Sequence, residues 1–187
     1  MDRSLFLYTM STQPRIREII QLGQPILHEV ALAIDDVHSV QVQTLVADML
    51  ATFDAGGMIG LAAPQIGAAM RMILVASRPI RGHPVAPVFK RRLLINPELL
   101  FQSPETETGW EGCASIPGIR GMVTRAKSIK IRFQDTSGIS REEEWSGLPA
   151  RVFQHEFDHL NAVMFLDHVS GSRKICTEQE FRRWFPQ

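Results

Sequence analysis

Cysteine is nearly absent from this chain of 187 residues, which has only Cys113 and Cys176. So low a count excludes a disulfide framework. A reducing compartment is the simpler reading, and it leaves a thiolate free to hold a metal. An excess of charge is lacking too. Lys and Arg number 20 and Asp and Glu number 20, so no net field steers the chain to nucleic acid or to an anionic membrane. No apolar run approaches a membrane span, and Leu5-Phe6-Leu7-Tyr8 is too short even for a secretory core. Internal repeats and low-complexity tracts are missing as well. These absences predict a cytoplasmic protein with neither a membrane nor a nucleic acid as direct partner.

What is present is ordinary for a packed globule: 44% hydrophobic and 21% charged residues, enough to bury a sizeable core. The length predicts one catalytic domain over 1–187, with 1–13 a loose N-terminal extension and 168–187 a short C-terminal tail. Residues 14–30 read as turn-rich. Residues 39–53 read as a helix, with Val42, Val46, Met49, Leu50 and Phe53 at helical spacing, polar Gln41, Gln43 and Asp48 between them, and a stop at Gly56-Gly57. Strands are expected at 72–76, at 93–100 with an interruption at Asn96-Pro97, and at 128–133 and 141–145 around a turn at 135–138. Residues 77–90, rich in proline and glycine, read as a loop. The pattern predicts an α+β fold with mainly antiparallel sheets packed around a central metal-binding helix.

That helix is marked by Gln154-His155-Glu156-Phe157-Asp158-His159-Leu160. Histidines four apart project from one helix face and can share a metal ion, while Glu156 between them can reach a metal-held water without being a ligand. A buried amphipathic helix with hydrogen-bonded histidines is the bland alternative. Two histidines need a third ligand. A metzincin continuation would require glycine at 162 and histidine at 165, where Ala162 and Phe165 stand. Glu178 and Glu180 are candidates, although solvated charge is the ordinary role in so polar a tail. Cys113, in the Gly- and Pro-punctuated stretch from Gly109 to Gly118, is favoured by context and gives a His2Cys site with one open position. A third stretch, Gly60-Leu61-Ala62-Ala63-Pro64-Gln65-Ile66-Gly67, reads as a tight loop. It offers the Gln65 amide as a donor to a developing oxyanion.

Together, Ile59-Gly60-Leu61-Ala62-Ala63-Pro64-Gln65, Glu111-Gly112-Cys113-Ala114-Ser115 and the histidine heptapeptide resemble the three motifs of the peptide deformylases, in the family's order. The resemblance runs from about residue 16 to 167. It implies hydrolysis of the formyl group from the N-terminal formyl-methionine of new polypeptides, with release of formate. By residue matching it implies Cys113, His155 and His159 as ligands, Glu156 as general base and acid, and Gln65 with the Ala114 N–H as the oxyanion donors. Fe²⁺ is the implied cofactor, one per chain, with Zn²⁺, Ni²⁺ or Co²⁺ able to substitute. N-formyl-methionyl nascent peptides are the implied partners, with transient ribosome contact open to so short a tail. Leu148 and Val152, near the His155 face of the helix, and Ile59 opposite are expected to floor a methionine pocket. Gly60, Gly112, Arg120 and Arg151 are expected on the substrate side with them. Glu111, Arg125 and Asp158 read as charges around the ligands or as plain solvated pairs. Two positions depart from the family: Met58 stands where glycine is common, and Ala114 where a larger apolar residue usually follows the cysteine. A metalloprotease and a non-catalytic metal-binding relative are the competing readings.

Overall fold

A run as apolar as Met72-Ile73-Leu74-Val75 suits a strand covered on both faces, and that is how the chain uses it. The computed structural model describes residues 13–77 and 88–185. In it β1 (Gly60–Ala62), β2 (Met72–Ser77), β3 (Phe89–Gln102), β6 (Ser128–Gln134) and β7 (Ser140–Ser146) form one sheet in the order β1-β2-β3-β6-β7. Every neighbouring pair is antiparallel. Met72 and Leu74 pack on one face against Val42, Leu45, Met49 and Phe53 of α1 (Val40–Gly56). Ile73 and Val75 pack on the other against Val152 and Phe153 of α2 (Gly147–Leu160). A second antiparallel sheet, β4 (Thr106–Cys113), β5 (Ile116–Ala126) and β8 (Ile175–Thr177), rests on a third apolar cluster around Leu27, Val123, Met164 and Phe165. Helix α3 (Glu178–Trp184) follows β8 directly.

Helix α1 begins where expected, with the Ser39 hydroxyl accepting from the Val42 N–H, and runs on to Gly56 before Gly57 turns left-handed at φ 61°. Asp48 departs from its reading as an outward polar residue. It is buried and accepts from the Arg15 N–H at 2.7 Å and from the Arg17 guanidinium at 2.6 and 2.8 Å, tying the entering chain to the helix. The interruption expected at Asn96-Pro97 is a bulge within one long β3 and does not end the strand. The Gly- and Pro-punctuated stretch around Cys113, given no regular structure from sequence, is a hairpin of two long strands with Ala114-Ser115 as its turn. Within the tail, β8 and α3 are regular elements. Residues 1–12 of the expected extension and 78–87 of the expected loop lie outside the described residues. Among the described residues no helix is long and apolar enough to cross a membrane.

Candidate metal centre

Helix α2 is buried on nearly all sides, as its position between the two sheets requires. The Gln154 amide fastens it to the end of β5 by pairing with both backbone groups of Ala126, its Oε1 accepting from the N–H at 3.1 Å and its Nε2 donating to the carbonyl at 3.0 Å. That grip fixes α2 against the hairpin that carries Cys113. The result is a compact donor cluster in which one ligating atom each from Cys113, His155 and His159 lies within 4.8 Å of the others. Cys113 Sγ and His159 Nε2 are 3.3 Å apart, close to the roughly 3.3–3.8 Å edges expected of a tetrahedron drawn at metal–nitrogen and metal–sulfur bond lengths. One thiol and two imidazoles suit a borderline divalent ion. Burial and the neighbouring His155 hold the His159 imidazole well below its usual range, hence in the neutral form that ligates. On the structure's own terms the donor set fits a metal.

The ring of His155 is aimed by a carboxylate. Glu111 Oε2 lies 2.9 Å from His155 Nδ1, which turns the other ring nitrogen toward the cluster. Glu111 in turn receives a two-pronged bond from Arg125, at 2.9 and 3.0 Å, and a third from Arg151 at 2.8 Å. Arg125 also bonds Asp158, which His168 reaches at 2.8 Å. Burial opposes ionisation of Glu111, yet hydrogen bonds from His155 and Arg125 outweigh it and hold the carboxyl far below the usual range. These charges are therefore one connected network centred on the buried Glu111 and Arg125, and the reading of them as solvated pairs does not hold. A strand places residues two apart on one face, so Glu111 and Cys113 share a side of β4. In the sequence that signal is masked by the glycines that punctuate the stretch.

Glu156 lies beside the cluster, on the wall of a cavity of about 1160 Å³. Burial pushes its carboxyl up to about 7 despite the nearby His155, and its Oε2 has no partner among the described residues. Gly60 explains the space: a Cβ there would collide with the Glu156 carboxylate and with Val152. Gln65 reaches in from a short 3-10 helix (Ala63–Ile66). Its Oε1 accepts from the Ala62 N–H at 2.8 Å, which leaves Nε2 facing Ser115 Oγ at 3.3 Å and Cys113 Sγ at 3.4 Å. Ser115, fully buried, belongs to the motif around Cys113 but has no role in the sequence reading; its place in the hairpin turn supplies one. An extended strap behind both loops joins them, with the Ile20 N–H donating to the Gln65 carbonyl and the Leu22 N–H to the Ser115 carbonyl, each at 2.8 Å.

Every other residue expected at the site, His159 excepted, also lines this cavity. Ile59, Leu148 and Val152 form an apolar patch of its wall, and Gly60, Gly112 and Ala114 border it. Arg151 has its guanidinium taken up by Glu111 and by the carbonyls of Val123 and Glu107. Arg120 is engaged by Glu178 and lies over the Phe181 ring at 5.1 Å. Glu178 therefore sits in an ion pair, apart from the donor cluster. Sequence reasoning missed the participation of Trp110, which β4 carries beside Glu111, and of Phe181 and Phe185, which reach the cavity because the C-terminus folds back.

Comparison with known proteins agrees with this geometry. The family model for polypeptide deformylase matches residues 16–174. A peptide deformylase of Nostoc sp. is 39% identical over 169 residues, covering 90% of this chain and 94% of that protein. One from Prochlorococcus marinus is 40% identical, covering 84% and 82%. Among solved structures, a class I type b peptide deformylase from Acinetobacter baumannii with Met-Ala-Ser bound superposes with a TM-score of 0.80 at 36% identity, covering 83% of this chain and 99% of that one. The peptide deformylase of Thermotoga maritima gives 0.73 at 36% identity, covering 84% and 99%. A shared fold and this extent of sequence identity settle the kinship: the chain belongs to the peptide deformylase family.

Proposed function

We propose that this chain hydrolyses the formyl amide of N-formyl-methionyl peptides, releasing formate and a free N-terminal methionine. One observation carries the reading. Cys113 and His155 on the wall of one cavity, with His159 Nε2 beside the thiol, bring their donors together with a buried Glu156 carboxylate that has an open oxygen and with a Gln65 amide aimed inward. Cys113, His155 and His159 would hold one Fe²⁺, with Zn²⁺, Ni²⁺ or Co²⁺ as substitutes. Bound there, the ion would acidify a water and polarise the formyl carbonyl.

The chain's own groups do the rest. Glu156 takes the proton of the attacking water and returns it to the departing amine. The Gln65 Nε2–H and the Ala114 N–H donate to the formyl oxygen as negative charge gathers on it. Glu111 keeps the His155 ring in its ligating orientation. The methionine side chain takes the apolar wall of Ile59, Leu148 and Val152, and the peptide backbone passes Gly60 and Gly112 toward Arg120. The Met-Ala-Ser bound by the Acinetobacter neighbour has the form of a product this reaction would leave. We assign residues 1–187 to one catalytic domain acting in the cytoplasm, where nascent chains emerge and a transient ribosome contact would bring enzyme and substrate together.

The test is anaerobic formate release from formyl-Met-Ala-Ser by Fe²⁺-loaded protein and its Glu156→Ala variant. The parent should turn over. The variant should lose about 10²–10⁴ in kcat while still holding one ion per chain. No formate from the loaded parent, or undiminished release by the variant, would refute the assignment, and cleavage of internal peptide bonds instead would favour a metalloprotease.

A further inference from the structure

The family match ends at residue 174, yet the cavity wall continues past it. Strand β8 pairs with β5, Arg120 opposite Cys176 and Ile119 opposite Thr177, and this pairing turns the C-terminus back to the cavity mouth. Helix α3 starts there, its first turn capped by the Thr177 hydroxyl accepting from the Glu180 N–H. Glu178 then anchors the helix, bonded on one side by Arg120 and on the other by Arg182 at 2.9 Å. One turn on, Phe181 is buried against Trp110 of β4 with ring centroids 5.7 Å apart, and Phe185 lies 5.2 Å from the same indole. The two phenyl rings stack at 5.9 Å. Trp110, Phe181, Phe185 and Arg182 face the same cavity as His155 and Glu156.

A helix serving only to close the core would hide its aromatic rings. Phe181 is hidden, but Phe185 keeps 47% of its surface exposed at the cavity mouth. The three rings therefore present an apolar shelf with a partly wet edge, lining the same cavity as the Ile59, Leu148 and Val152 wall. Aromatic faces are well suited to stack or pack a peptide side chain.

We propose that α3 is a specificity wall, in which Trp110, Phe181 and Phe185 receive an apolar, above all aromatic, side chain from the second or third residue of the substrate. This inference rests on the deformylase reading and adds a subsite to it. The Arg120–Glu178 pair is its positioning element, because it holds α3 to β5.

The test uses full-length, metal-loaded enzyme and three peptides: formyl-Met-Ala-Ala, formyl-Met-Phe-Ala and formyl-Met-Ala-Phe. In the parent, one phenylalanine peptide should exceed the alanine peptide in kcat/KM by about three- to tenfold, through KM more than kcat. Phe185→Ala, at an exposed position where folding is not at stake, should bring that preference to within twofold, and Phe181→Ala should do the same. Equal kcat/KM for all three peptides in the parent, or a preference that survives Phe185→Ala, would overturn the subsite alone. Formate from none of the peptides would overturn the deformylase reading and the subsite with it.

Discussion

Glu111 has two positive partners and an imidazole to satisfy with two oxygens, and it does so while almost completely buried. Replacing it by glutamine keeps the shape but removes the charge. Arg125 is then left in the interior with Asp158 alone, a change expected to cost about 3 kcal/mol of stability. The same substitution loosens the His155 ring, so metal affinity should fall about 10–100-fold. Denaturant melts and a competitive metal titration on Glu111→Gln check both effects. Unchanged stability with unchanged affinity would break the argument. At this scale the donor cluster was legible, because His155 and His159 repeat at helical spacing and Cys113 is the scarce residue that suits them. Their support was not: Arg125 meets Glu111 across 14 residues and Asp158 across 33, pairings that only tertiary folding creates.

Among the elements, β3 depends on one side chain where its hydrogen-bond register shifts. Asn96 holds a positive φ of 48°, and its amide accepts from the Ile34 N–H and donates to the Ile34 carbonyl, both at 2.8 Å, and to Gln134 at 3.0 Å. Asn96→Ala should therefore destabilise the protein by about 2–3 kcal/mol, from lost hydrogen bonds and a backbone angle alanine resists. Asn96→Gly, which relieves only the angle, should fall between alanine and the parent in urea unfolding. Identical losses would mean that the angle contributes nothing. The apolar helices and strands were readable from periodicity, as α1, β2 and the β6–β7 hairpin show. The β4–β5 hairpin was not, since Gly109, Gly112, Gly118 and Gly121 erase its alternation. Two of these glycines make room for neighbours: a Cβ at Gly112 would press on the Arg120 side chain, and one at Gly121 on Phe165 and Val169.

For the molecule as a whole, α2 is held by apolar packing of Ala150, Val152, Phe153 and Leu160 against the five-stranded sheet, contacts that do not run through the Cys113, His155 and His159 donors. Chelation should therefore abolish formate release yet leave the far-ultraviolet circular dichroism in place, lowering Tm by roughly 5–10 °C through loss of the bound-state linkage. Collapse of the spectrum would instead place this chain with domains that fold only around their metal. The overall class was legible because burial leaves periodic marks. The closing of the cavity by the C-terminus was not, because a tail of mixed charge and aromatics carries no period that says where it docks. The strap amides of Ile20 and Leu22 each end on a carbonyl of a different loop of the site. Their hydrogen–deuterium exchange is thus a clock for how often those loops part, readable in resting enzyme with no substrate present. Slow exchange at both positions, accelerating together when the metal is stripped, would time the opening of the centre from its far side.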